Sequence, residues 1–168
     1  SQIGCGMGCG FCRTATMGFR KNLSASQIIG QVLAVMRDSK EFDDSFSNIV
    51  FMGMGEPLHN FDGVTRAIQI LLDHNGLSIT GRKITVSSVG LVPAIRRFGA
   101  LNLDANLAIS LNATTDAVRD RIMPINKAFP LETLLSTLSS YPLRPRRVLT
   151  MEYVMLSEVN DSADDLRR

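Results

Sequence analysis

Short apolar runs that stop at small or polar residues alternate with stretches of helical period along this chain, and that rhythm constrains the fold more than any other feature. Residues 48–52, Asn-Ile-Val-Phe-Met, form a continuous apolar run ended by Gly53, the pattern of a parallel strand buried on both faces. Comparable strands are predicted over residues 83–86, 106–109 and 148–156. Between them, Ile28, Ile29, Val32, Leu33, Val35 and Met36 recur at helical spacing, so a helix is predicted over residues 25–39. Ser24 and Gln27 precede it in capping-box form. Val64, Ile68, Leu71 and Leu72 mark a helix over 61–73, and a short one follows over 92–98. Residues 115–121 and 131–140 make a helix pair broken around Pro124 and Pro130. Strands alternating with helices at intervals of roughly 25–40 residues imply a parallel sheet with right-handed crossovers. With a stub at residues 1–3, the chain holds about five βα units, an α/β fold in the form of an incomplete (β/α) barrel. A doubly wound sheet has the same rhythm, and periodicity alone leaves both open.

Composition fits one globular domain spanning residues 1–168, with 45% hydrophobic residues and enough length for a substantial core. Eighteen basic and 16 acidic side chains leave a net charge of only +2, weak support for a nucleic-acid partner. Basic clusters occur at Arg13/Arg20/Lys21, Arg82/Lys83 and Arg144/Arg146/Arg147, and each reads first as a solvated surface group. No apolar run approaches the length of a membrane span and no basic-then-apolar leader opens the chain, so no membrane partner is expected. The chain opens on Ser1 and closes on a helix start with an acidic first turn, and a fragment of a larger protein is expected.

The chemistry concentrates in Cys5, Cys9 and Cys12, spaced C-x3-C-x2-C with no fourth cysteine. Three thiolates on a short loop can hold three corners of a four-iron cluster and leave one iron open. Zinc with a distant fourth ligand is a second reading, although neither His59 nor His74 has finger-like spacing. A disulfide would strand the third cysteine. Glycines at positions 4, 6, 8 and 10 rule out a stable helix here and let the loop wrap a compact group. Phe11 either shields that group or fills core. Cysteines used as metal ligands fit a reducing, cytoplasmic location.

Ligands of parallel α/β folds bind at the carboxyl ends of the strands. Those ends carry the cysteine loop, then Gly53-Met54-Gly55-Glu56-Pro57, then Ser87 and Ser88, then Ser110-Leu111-Asn112. Singly, these read as a tight turn or as helix caps; together they outline one site. Glu56 can bind an ammonium group, and the serines a carboxylate or a ribose. S-adenosylmethionine (SAM) carries all of these groups, and its amino and carboxylate groups can chelate an open iron.

Cys5-x3-Cys9-x-Phe11-Cys12 resembles the cluster motif of the radical SAM superfamily, in which an aromatic residue commonly precedes the last cysteine. More narrowly, the chain resembles the RlmN/Cfr group of radical SAM RNA methyltransferases. The likeness runs through Ser1-Gln-Ile-Gly-Cys5, Gly18-Phe19, Ile28-Ile-Gly-Gln-Val32, Met52-Gly-Met-Gly-Glu-Pro-Leu58 and Asn60. It continues through Ser87-Ser-Val-Gly90, Leu107-Ala-Ile-Ser-Leu111, Arg119-Asp120, Met123-Pro-Ile-Asn-Lys127, Glu152-Tyr-Val-Met-Leu156 and Val159-Asn-Asp161. The resemblance implies a partial (β/α)6 radical SAM barrel truncated at both ends, without the N-terminal domain and last strand. It implies a [4Fe–4S] cluster on Cys5, Cys9 and Cys12. Gly55 and Glu56 would meet the methionyl end of SAM, and Ser87, Ser110, Leu111 and Asn112 the rest of that cofactor.

The implied activity is methylation of adenosine C2 in 23S ribosomal RNA and transfer RNA. One SAM methylates a cysteine, and a second is cleaved to a radical that activates the S-methyl group for addition to the base. A further cysteine resolves the adduct. Both of those cysteines are expected outside this chain, which then contains no catalytic residue of its own and is inactive alone. A flavodoxin or ferredoxin electron donor and a monomeric state are further expectations. The alternatives are Cfr-like methylation at C8, a radical-generating activase, and a non-catalytic zinc module.

Overall fold

The computed structural model describes residues 1–41 and 48–168. Four strands form one parallel sheet in the order β3 (Ile49–Phe51), β4 (Ile84–Ser88), β5 (Asn106–Ser110) and β6 (Thr150–Glu152). Five α-helices connect or flank these strands: α1 (Ala25–Glu41), α2 (Phe61–Leu72), α3 (Val92–Ala100), α4 (Asp116–Ile122) and α5 (Leu131–Ser139). A short α6 (Ala163–Arg167) ends the chain. The strands keep their sequence order and never reverse, whereas a doubly wound sheet reverses at its switch point. Of the two architectures with this rhythm, the chain therefore adopts the singly wound, partial-barrel one.

The core lies on one face of the sheet. Phe51, Ile84, Val86, Leu107 and Ile109 point toward Ile28 of α1, Val64, Ile68 and Leu71 of α2, Ile95 and Phe98 of α3, and Leu134 and Leu138 of α5. Each fully buried aliphatic side chain contributes about 1.5–3 kcal/mol by leaving water. Parallel register puts Val50 beside Thr85, and Thr85 beside Asn106, all facing the other way. That inner face is open at its β3 edge, where Val50 is 54% exposed, and closes toward β5, where Ala108 is fully buried. The expectation that residues 48–52 are buried on both faces is thus corrected. The strand lies at the sheet edge, and helices cover one of its sides.

The helix starts follow the local sequence. Ser24 and Gln27 complete both arms of the capping box, with Gln27 N–H donating to Ser24 Oγ at 3.2 Å and Ser24 N–H to Gln27 Oε1 at 3.0 Å. Thr115 caps α4 by accepting from Val118 N–H.

Two segments depart from the sequence reading. The stub at residues 1–3 lies in β1 (Gln2–Gly4), which pairs antiparallel with β2 (Phe19–Asn22) and not with the four-stranded sheet. β2 is exposed at all four positions and so carries no apolar alternation to announce it. Close approach holds the hairpin, since a Cβ on Gly4, at φ 74°, would sit 1.7 Å from Gly18 O. The last strand is shorter than the predicted 148–156 because the chain leaves the ladder after Glu152. Val154 N–H then donates to Asn112 Oδ1 and Leu156 N–H to Asn160 Oδ1. Among the described residues, no helix is long and apolar enough to cross a membrane.

Candidate cofactor site

One cavity of about 210 Å³ opens at the carboxyl ends of the four parallel strands. The loop after β1 sends Cys5, Cys9, Phe11 and Cys12 into it, and the turn after β3 adds Gly53, Gly55 and Glu56. Ser87 of β4, Ser110 of β5 and Glu152 of β6 line the far ends of their strands, with Val89 and Met123 between them. The polar clusters expected at the strand ends therefore meet around one space. Leu111 and Asn112 do not line it.

The cysteine loop is pinned at three points. Cys5 N–H donates to Gly18 O at 3.0 Å, Cys12 N–H to Cys9 O at 3.1 Å, and Gly10 N–H to Ile122 O at the end of α4 at 2.8 Å. Cys9 packs against Ala113, Ile122 and Met123, with Phe11 on the same small cluster, so Phe11 both fills core and walls the cavity. All three cysteines are free thiols. Burial, with Cys12 and Cys5 adding to it, pushes the Cys9 thiol up to about 11, and burial also raises Cys5. Cys5 and Cys9 are therefore held as neutral thiols, which would release their protons on binding a metal. Among the described residues, no three His, Cys, Asp or Glu side chains gather closely enough for a single ion. Three thiols spread around one cavity suit a multi-iron cluster, in which each sulfur takes a different iron.

Gly55 and Glu56 are held by Gln2, a residue that sequence reasoning passed over. Gln2 Oε1 accepts from Glu56 N–H at 2.8 Å, and Gln2 Nε2 donates to Asn22 Oδ1 at 2.7 Å. A Cβ on Gly55, at φ 88°, would come within 2.5 Å of Gln2 Cβ, so the close approach requires glycine. Glu56 is 2% exposed, and its carboxylate accepts from Leu58 N–H at 3.1 Å and Val89 N–H at 2.9 Å. Burial pushes this carboxyl up to about 7 despite those bonds. Glu56 thus ties the β3 and β4 turns together while lining the cavity wall.

Ser87 and Ser88 separate in role. Ser88 Oγ faces the helix side and accepts from Gly90 N–H at 3.2 Å and Leu91 N–H at 3.4 Å, bonds that shape the turn before α3 but do not cap the helix, whose N-cap residue is Leu91. Ser87 Oγ faces the cavity and donates to Glu152 Oε2 at 3.0 Å, as does Ser110 Oγ at 3.0 Å. Glu152 had no site role in the sequence reading because it fell inside a predicted strand. Its register opposite Ser110 is the signal that brings it to the rim. Asn112, at φ 56° and 2% exposed, works as a latch. Its Oδ1 accepts from Val154 N–H at 2.8 Å, and its main-chain carbonyl accepts from Asn160 Nδ2 at 2.7 Å.

Behind the rim lies Arg119, fully buried on α4. Its Nε donates to Leu111 O at 3.0 Å, its Nη1 to Asn126 Oδ1 at 3.0 Å, and its Nη2 to Val89 O at 2.8 Å and Ser110 O at 3.2 Å. Burial lowers its pKa, and these carbonyls replace the water it has lost. One guanidinium thus fixes the ends of β4 and β5, from which Ser87 and Ser110 face the cavity.

A singly wound parallel sheet with a three-cysteine loop at its carboxyl rim is the frame of a cluster-dependent enzyme class. The family model described as "Radical SAM superfamily" matches residues 1–168, and the chain belongs to that superfamily. Its cofactors are a [4Fe–4S] cluster and S-adenosylmethionine, and the thiol set at the rim fits the cluster. Over 168 residues the chain is 51% identical to the dual-specificity RNA methyltransferase RlmN of Pelobacter propionicus and 52% identical to that of Geobacter sulfurreducens. It covers 47% and 45% of those proteins, so it spans about half the length of the curated relatives it matches. A crystal structure of a radical SAM methyltransferase from Sphaerobacter thermophilus superposes with a TM-score of 0.94 at 38% identity, over 99% of this chain and 49% of that one.

Proposed function

We propose that residues 1–168 are the radical SAM core of an RNA methyltransferase acting on C2 of adenosine in 23S ribosomal RNA and transfer RNA. The observation that carries this reading is the identity of about half the residues to RlmN proteins across the whole chain, with the three cysteines facing one rim cavity. Cys5, Cys9 and Cys12 hold the cluster. Gly55 meets the methionyl end of the cofactor through its backbone, and Glu56 supplies a carboxyl in the wall beside it. Ser87 and Ser110 meet the nucleoside, while Leu111 and Asn112 act from behind, Asn112 by latching the loop after β6. A bound cluster supplies one electron to SAM. The chain's own residues orient the cofactor, and the Phe11, Val89 and Met123 walls keep water from it.

The methyl-carrying and resolving cysteines belong to the rest of the parent protein, so this chain alone does not methylate. The electron donor is a flavodoxin- or ferredoxin-type protein, and the parent is a cytoplasmic monomer. The test uses the full-length parent with reductant, labelled SAM and adenosine-containing fragments of both RNAs. Appearance of 2-methyladenosine by mass spectrometry supports the proposal. 8-Methyladenosine supports the Cfr-like alternative instead. SAM cleavage without methyl transfer to either RNA overturns the substrate reading in favour of an activase.

A further inference from the structure

The basic clusters at residues 82–83 and 144–147 are far apart in the sequence, and the fold brings them together. A second cavity, of about 350 Å³, opens at the amino ends of β4, β5 and β6, away from the cysteine loop. Arg82, Thr85, Asn106, Arg146, Arg147 and Thr150 line it. Barrels of parallel strands place their chemistry at the carboxyl ends, so this cavity is not a second catalytic centre. Its lining is arranged to donate. Arg147 is already committed, with Nη2 paired to Asp104 Oδ1 at 2.5 Å and Nη1 donating to Asn106 Oδ1. Asn106 Nδ2 donates to Arg82 O at 2.9 Å and to Thr85 Oγ1 at 3.3 Å, which leaves the Thr85 hydroxyl proton uncommitted. Among the described residues, the Arg82 and Arg146 side chains form no ion pair. Two guanidinium groups and the Thr85 hydroxyl are therefore left to bind an anion.

The backbone singles out Arg146. Arg147 N–H donates to Arg144 O at 3.0 Å, closing a turn with Pro145 second and Arg146 third, and Arg146 has φ 63°. That is the residue pattern of a type II turn, whose third position favours glycine. An arginine is strained there, and strain kept under a side chain that lines a cavity points to a use for that side chain. Planar guanidinium groups match the oxygens of a phosphate. Lys83 and Arg144, both exposed, flank the lining residues in the chain, so the charge forms a stripe that suits successive phosphates. We propose that this cavity is an accessory RNA site, in which Arg82 and Arg146 grip a backbone phosphate at a distance from the base being modified. The inference goes beyond the methylation reading and takes from it only that the substrate is RNA.

The experiment is equilibrium binding of a transfer RNA to the full-length parent across a salt series. Wild type is compared with Arg82→Gln, Arg146→Gly and a control, Arg66→Gln, on the exposed side of α2. Each cavity variant is expected to weaken binding about three- to tenfold and to reduce the slope of log Kd against log salt by about one, whatever the RNA sequence. The control is expected to match wild type. Glycine suits the turn, so Arg146→Gly should keep or raise the Tm, which separates lost binding from lost folding. Unchanged affinity and slope in both cavity variants overturn the inference. So does a calorimetric loss of inorganic phosphate binding with RNA binding intact, the mark of a small-anion site. A lowered Tm in both variants with an unchanged salt slope also overturns it and assigns the cavity to a contact within the parent. A parent that binds RNA as expected but methylates none upholds the inference and counts against the functional reading, whereas a parent that binds no RNA overturns both.

Discussion

The two faces of the sheet follow different rules although they come from the same strands. On the helix side, Ile84, Val86, Leu107 and Ile109 are almost fully buried and carry no polar side-chain atom. On the inner side, one residue away in each strand, stand Val50, Thr85, Ser87, Asn106 and Ser110, polar or exposed in this chain, with Ala108 the buried apolar exception. Alternation of side chains across a strand makes the separation possible. The covered face supplies the free energy that holds the sheet, which leaves the inner face and its carboxyl rim available for polar chemistry. Arg119 belongs to neither face but joins them, since it sits on a packed helix and grips the carbonyls from which the rim residues project.

This division can be broken by substitution. The largest stability loss is expected at the junction. Arg119→Met leaves the Val89, Ser110 and Leu111 carbonyls and Asn126 Oδ1 without their donor and should cost about 3–5 kcal/mol in urea unfolding. On the covered face, Leu107→Ala should cost about 3 kcal/mol by removing packed methyl groups. Its counterpart on the open face, Val50→Thr, should change the stability of this chain by no more than about 0.5 kcal/mol. Equal losses at positions 107 and 50 would contradict the division.

The smallest effect concerns pH. The N–H of Leu131, then the Asn126 amide, hold Asp116 below its ordinary 3.8. An acid with a depressed folded pKa contributes stability that is fully present above its unfolded value and is lost as pH falls through the folded one. Asp116→Asn should therefore lower stability slightly at neutral pH, flatten the part of the acid unfolding profile that lies below about pH 4, and bring the two proteins together at the acid end.

Much of the covered face was legible because a hydrophobic period is a direct record of burial. β4, β5 and the helices fall within a residue or two of their expected bounds, and each strand-end cluster sends at least one residue to the rim cavity, although Ser88, Leu111 and Asn112 do not line it. What escaped was set by partners distant in sequence. β2 has no apolar pattern and exists through its pairing with β1. Glu152 reads as a strand residue until the register sets it beside Ser110. Gln2 holds Glu56 across 54 positions, a link that no local pattern encodes. Asn112 sat in a polar strand-end motif, and only the fold shows its side chain turned away to anchor Val154.

The central claim is that three thiols at the open rim hold a cluster that in turn binds SAM. It is tested most directly by anaerobic iron–sulfide loading of the full-length parent, with iron and sulfide analysis and electron paramagnetic resonance with and without SAM. The expected result is about four iron and four sulfide per chain, a brown absorbance lost in Cys9→Ala, and a reduced-cluster signal altered by SAM. A colourless protein that takes up stoichiometric zinc, or a cluster whose signal ignores SAM, would contradict it.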